Sequence, residues 1–114
     1  MSIPLYQAKA EFLRTLGHPA RIRILELLSE RDHAVHELLE QIAIEPSNLS
    51  QQLAVLRRTG LVASHRRLGE VVYSLSVPEV REFLLSARRL LASLAASQTD
   101  FEPELAPTAR TSRR

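Results

Sequence analysis

Residues 46–62 run Pro46-Ser47-Asn48-Leu49-Ser50-Gln51-Gln52-Leu53-Ala54-Val55-Leu56-Arg57-Arg58-Thr59-Gly60-Leu61-Val62. Leu49, Leu53 and Leu56 recur at helical spacing, so 46–59 reads as a helix with a leucine stripe inward. Pro46 suits its first turn, and Gly60 stands where a left-handed residue ends a helix. The opposite face then carries Ser47, Gln51, Ala54, Val55 and Arg58, flanked by Asn48, Ser50, Gln52 and Arg57. Short hydroxyls and amides lead, and arginines follow. Exposed helices ordinarily carry Glu and Lys, yet 46–59 contains neither. Gln and Asn can pair with adenine and Ser with several base edges, so this face suits a helix laid in the major groove of DNA. Ser47, Ser50 and Gln51 are the expected base readers. Asn48 and Gln52 are expected on bases or phosphates, with Arg57 and Arg58 toward the far end.

Working back toward the N-terminus, Ala43-Ile44-Glu45 is a tight connection from a short helix over 36–42, with Leu38, Leu39 and Ile42 inward. His33-Ala34-Val35 reads as a short extended piece. Pro19 opens a helix with Ala20, Ile24, Leu27 and Leu28 on one face, widened by Ile22 and Leu25, so it belongs at the centre of the core. Gly17-His18 separates it from an amphipathic helix over 4–16 carrying Leu5, Ala8, Phe12 and Leu16.

Working forward, the period drops to 2. Leu61–Arg67 and Val71–Leu75 read as two strands joined by Leu68-Gly69-Glu70, a β-hairpin. Arg66 and Arg67 lead into its turn, where cations suit the minor groove or the phosphates, with solvated edge charges as the alternative reading. They face opposite sides of the strand, so DNA contact by only one of them is also open. Ser76 with Glu79 reads as a capping box opening a helix to Ser97. In that helix Val80, Phe83, Ala87, Leu90 and Leu94 form a heptad seam beside Leu84 and Leu91. Periodicity ends there, so 98–114 is expected to be a flexible tail after a single domain over 1–97.

The fold class expected is mainly α with a small β-hairpin, in the order α-α-α-α-β-β-α: a winged helix-turn-helix. A core filled by the central helices leaves the last helix's seam uncovered. Val80, Phe83, Ala87, Leu90 and Leu94, with Leu5, Phe12 and Leu16, are therefore expected to form a homodimer interface. A two-fold dimer reads an inverted-repeat operator.

Composition narrows the function. With 114 residues there is room for one domain. Cysteine is absent, which removes disulfides, thiolate metal sites and Cys nucleophiles. Three glycines do not build a phosphate loop, and no Ser–His–Asp set or acid cluster supports an enzyme. No cofactor is expected. No apolar run approaches a membrane span and the start lacks a secretory pattern, so a cytoplasmic protein is expected. Lys9 is the only lysine. Residues 45–75 hold four arginines against two glutamates, a mildly basic stretch that permits DNA binding without proving it.

Residues 16–28, Leu-Gly-His-Pro-Ala-Arg-Ile-Arg-Ile-Leu-Glu-Leu-Leu, are similar to the second-helix signature of the ArsR/SmtB family of bacterial repressors. Residues 47–62 resemble that family's recognition helix, and Gly69 with Tyr73 its wing; the resemblance covers about residues 5–97. It implies a homodimeric DNA-binding repressor, joined through its first and last helices and released by an effector. The family often has paired His where this chain has Gln51 and Gln52.

The resemblance names no effector here. Family members bind metals or arsenicals through Cys on the third helix, or metals through Asp and His on the last. This chain has no Cys, and 77–97 holds neither His nor Asp. His33 and His36 remain, spaced so that two imidazoles can share a metal, although plain surface is the commoner fate of such a pair. His18 is expected to enter a helix and His65 to lie on a strand surface. The alternative function is a winged-helix module that docks another protein within a larger complex. Exposed aromatics would mark such a face, and they are scarce in this chain.

Overall fold

The computed structural model describes residues 2–97. The expected tail, 98–114, lies outside the described residues. The elements follow one another as α1 (Leu5–Leu16), α2 (Pro19–Glu30), β1 (His33–Ala34), α3 (Val35–Gln41), α4 (Pro46–Arg58), β2 (Val62–Arg67), β3 (Glu70–Leu75) and α5 (Glu79–Ser97).

The core is aliphatic. Ile24, Leu25 and Leu28 of α2, Leu38 of α3 and Leu49, Leu53 and Leu56 of α4 are its most buried side chains. Leu61, Val62 and Val80 close it from the hairpin and α5. The leucine stripe of α4 and the broad apolar girth of α2 thus meet as their spacing dictates.

The wing is wider than a hairpin. His33-Ala34 pairs with β3, His33 opposite Tyr73 and Ala34 opposite Val72, giving an antiparallel sheet in the order β1-β3-β2. The helix-turn-helix is therefore bonded to its wing at the head of α3. The connection between β2 and β3 is also tighter than expected. Glu70 pairs with Arg67 as part of β3, leaving only Leu68 and Gly69 in the turn.

The expected capping box at Ser76 does not form. Val77 precedes Pro78, a position biased away from helical backbone, and α5 starts at Glu79. Ser76 instead donates its N–H to Leu61 O at 2.9 Å, closing the base of the hairpin. Glu37 fills a comparable role at α3, accepting the Ala34 N–H on Oε1 at 2.8 Å. That bond, aided by Arg31, holds the Glu37 carboxyl below its ordinary range.

Two residues of the expected dimer seam belong to the core of a single chain. Leu16 and Val80 are buried among the core aliphatics. Val80 lies in the first turn of α5, where the helix still rests on α2 and the hairpin. Further along, α5 leaves the body: Phe83, Leu90 and Leu94 are exposed, as is Leu5 on α1. Ala87 is half-buried. Phe12 packs edge-on against Phe83 within the chain, ring centroids 5.6 Å apart at 75°. Among the described residues no helix is long and apolar enough to cross a membrane.

Candidate nucleic-acid interface

The candidate face is the outer side of α4. Its exit is a Schellman turn: Gly60, at φ 84°, donates to Arg57 O at 3.0 Å, and Leu61 donates to Leu56 O at 3.0 Å. The turn passes straight into β2, so α4 and the wing are held at a fixed relation. Ser47, Ser50, Gln51, Arg57 and Arg58 are exposed, and Asn48 is half-buried. The first turn has no acidic side chain and the last holds Arg57 and Arg58. Glu45 stands at the N-cap, so the charge in α4 that favours an anionic ligand is the Arg57 and Arg58 pair in its last turn.

Gln52 is a correction. It is 7% exposed and points inward. Its Oε1 accepts from Arg21 Nε at 2.8 Å, and its Nε2 donates to Asn48 Oδ1 at 2.8 Å. Arg21 in turn donates Nη1 to Thr15 O at 2.8 Å. Gln52 thus ties α4 to α2 and the end of α1, and is not available to a base. The signal was in the spacing: Gln52 stands three after Leu49 and four before Leu56, which puts it beside the leucine stripe. Arg21 gave no such signal, because its partner lies too far along the chain for any local pattern to show.

On the wing, period 2 separates the two arginines. Arg67 and His65 share a face and both approach Asp32 Oδ2, Arg67 Nη2 at 3.3 Å and His65 Nε2 at 3.9 Å. Arg66, on the other face, donates Nη1 to Gly69 O at 3.0 Å. Asp32, which the sequence places only beside the His33 and His36 pair, therefore engages Arg67 on this face.

The pair His33 and His36 does not converge. His33 is 2% exposed in β1, its Nδ1 lying 2.9 Å from Arg31 O. His36 is exposed and turns to Glu70 at 3.3 Å and Glu40 at 3.7 Å. The chain changes from strand to helix between them. His33 is fixed by sheet pairing while His36 sits on α3, so helical spacing does not relate them. Among the described residues no three His, Cys, Asp or Glu side chains are grouped to hold a metal. His18 enters α2 as expected, its Nδ1 accepting the Ala20 N–H at 3.2 Å.

A helix-turn-helix braced by a three-stranded wing, with a carboxylate-free outer helix, defines a winged helix-turn-helix protein of the regulatory class. Residues 18–64 match the bacterial regulatory proteins of the arsR family. The chain is 54% identical over 98 residues to Rv0081 of Mycobacterium tuberculosis, described as an uncharacterized HTH-type transcriptional regulator, covering 85% of this chain and 86% of that one. The crystal structure of Rv0081 matches with a TM-score of 0.76 at 55% identity, over 84% of this chain and 97% of that chain. The biofilm growth-associated repressor of Xylella fastidiosa is 42% identical over 67 residues, 59% of each chain. HlyU of Vibrio cholerae, a transcriptional activator by name, matches in structure with a TM-score of 0.68 at 34% identity, over 79% of this chain and 99% of that one. The chain belongs to the arsR family of bacterial regulatory proteins.

Proposed function

We propose that the protein is a homodimeric, sequence-specific repressor that lays α4 in the major groove of an inverted-repeat operator and rests its wing, 61–75, on the minor groove or backbone. The observation that carries this reading is the outer face of α4. Ser47, Ser50 and Gln51 stand exposed in its first turns while Gln52 is held inward by Arg21 of α2, so the polar side chains are presented on a helix tied to the core. Family membership supports a regulatory role, and the relatives above include a repressor and an activator by name.

The dimer is formed through α1 and the outer part of α5, by Leu5, Phe12, Phe83, Ala87, Leu90 and Leu94. The protein acts in the cytoplasm on double-stranded DNA and performs no catalysis. The reading as a protein-docking module is set aside because the outer face of α4 carries no aromatic anchor. The test is to incubate the purified protein with fragments of its own genome and sequence what it retains. Enrichment of fragments sharing one inverted repeat supports the proposal. Retention without a common sequence rejects it.

A further inference from the structure

β2 and β3 are joined by Leu68 and Gly69, both at positive φ, 52° and 84°. This is the backbone of a type I′ turn, which requires positive φ at both central positions. Gly69 adopts it freely. Leu68 does not, because a Cβ crowds the carbonyl in the left-handed region, and Asn, Asp or Gly is the usual occupant. Leu68 is also 97% exposed, the most exposed large hydrophobic residue among those described. The side chain neither packs on the fold nor suits its turn. Strain kept at an exposed tip points to a contact outside the chain.

The neighbours indicate the kind of contact. Arg66 and Arg67 precede Leu68 and lie on opposite faces of the strand, so cations flank the tip on both sides. Of the nearby carboxylates, Glu70 faces His36 at 3.3 Å, and Asp32 lies 3.3 Å from Arg67 on one side of the tip, leaving Arg66 on the other. An aliphatic tip between two guanidiniums complements a channel with anionic walls and an apolar interior. The minor groove has that character, with phosphates on its rims and sugar edges within, and apolar side chains are known to enter it.

We propose that Leu68 is the wing's minor-groove residue, seated against the sugars and base edges beside the α4 site and disfavouring guanine there, whose 2-amino group projects into the groove. This rests on the reading of the protein as a DNA-binding regulator.

The test uses the full-length protein and operator duplexes recovered as above, with the pairs under the wing set to A·T, G·C or inosine·C. Inosine lacks the 2-amino group. Wild type, Leu68→Asn, Leu68→Met and Gln51→Ala are compared for affinity and melting temperature. Leu68→Asn relieves the turn and should melt about 2–6 °C higher, while its operator affinity falls ~5–10-fold because Asn brings no apolar surface to the groove. Leu68→Met should hold affinity within about twofold, because it keeps the apolar surface. Wild type should bind the G·C duplex less well than the inosine duplex, and Leu68→Asn should abolish that difference. Undiminished affinity of Leu68→Asn, or equal wild-type binding to G·C and inosine, overturns the assignment. So does a lower melting temperature for Leu68→Asn, which would place Leu68 in the fold or the dimer contact. Failure of the DNA-binding reading shows separately: wild type would bind no duplex, and Gln51→Ala would be indistinguishable from it.

Discussion

Gln51 and Gln52 are chemically identical neighbours with different partners. Gln52 fills the Arg21 guanidinium and the Asn48 amide inside the molecule, while Gln51 faces outward. Gln52→Ala leaves Arg21 Nε without its acceptor in a partly buried place, a loss of ~1–3 kcal/mol of stability. Its melting temperature should fall by about 4–8 °C per kcal/mol, with the preference among duplexes unchanged. Gln51→Ala should melt like wild type yet lose ~1–3 kcal/mol of discrimination at one base pair per half-site. Thermal melts paired with binding to operator and scrambled duplex separate the two. If Gln52→Ala kept full stability and lost specificity, the inward assignment would be wrong. Glu37 provides a pH test at the same scale. Its carboxyl is held below the ordinary 4.5, chiefly by the Ala34 N–H. A group whose folded pKa is depressed binds fewer protons when folded. Its contribution is complete above the unfolded value and is lost as pH falls through the folded one. Below about pH 4.5 wild type should therefore lose stability more steeply than Glu37→Gln, which keeps an acceptor without titrating. Parallel acid titrations of the two proteins, followed by helical circular dichroism, check this.

At the scale of elements, α4 and the wing divide the labour. Arg66 and Arg67 lie on opposite faces of β2, and on the proposed reading a guanidinium there would meet phosphate or the minor groove rather than specify a base. Arg66→Ala should weaken operator and scrambled duplex together and lower the salt slope by ~0.9 for each phosphate it no longer neutralises. Arg67 is drawn toward Asp32, and Asp32→Asn should free it and strengthen binding to all duplexes, most visibly at low salt. A binding series across salt for the three proteins decides. If Arg66→Ala collapsed the ratio of operator to scrambled affinity, the wing would be the reader. Most of these elements were legible because their signals are local: the leucine spacing in α4, Pro19 at the head of α2, Gly60 after α4, and the drop to period 2 at Leu61. What escaped notice depends on contacts distant in sequence or on competing local rules. The extended piece at His33-Ala34 was legible, but its pairing with β3 opposite Tyr73 and Val72 was not. The Ser76 cap gave way to the constraint that Pro78 places on Val77. Asp32 and Arg21 entered the site only when the fold brought their partners to them.

At the scale of the whole molecule, the question is what covers the apolar surface that α1 and α5 leave behind. The core takes Leu16 and Val80 for itself. Beyond them, Leu5 is 69% and Leu90 63% exposed, with Leu13, Leu91 and Leu94 also open. Several large apolar side chains on two neighbouring helices make the kind of surface that monomers seldom leave bare. The Phe12–Phe83 contact holds the two helices together, so the surface is already shaped before a partner arrives. A two-fold contact buries the same residues on both copies, and it closes on itself rather than growing into a filament. On the proposed reading it would set two copies of α4 about one DNA turn apart, ~34 Å, the spacing an inverted repeat requires. Leu90 gives the cleanest test because it contributes little to the monomer. Leu90→Glu should melt as a monomer without the losses expected of Val80→Glu, which places a charge in the core. In the dimer it loses ~1.5–3 kcal/mol of apolar burial per copy and puts a carboxylate into the apolar contact. The variant should sediment as a monomer at micromolar concentration. Its affinity for the full operator should drop toward that for a half-site, a loss on the order of 10²-fold or more once the two halves no longer bind as one. Its affinity for an isolated half-site should stay close to wild type, since α4 and the wing are untouched. A Leu90→Glu protein that remains dimeric and binds the full operator normally would move the interface off α5, and with it the source of the inverted repeat.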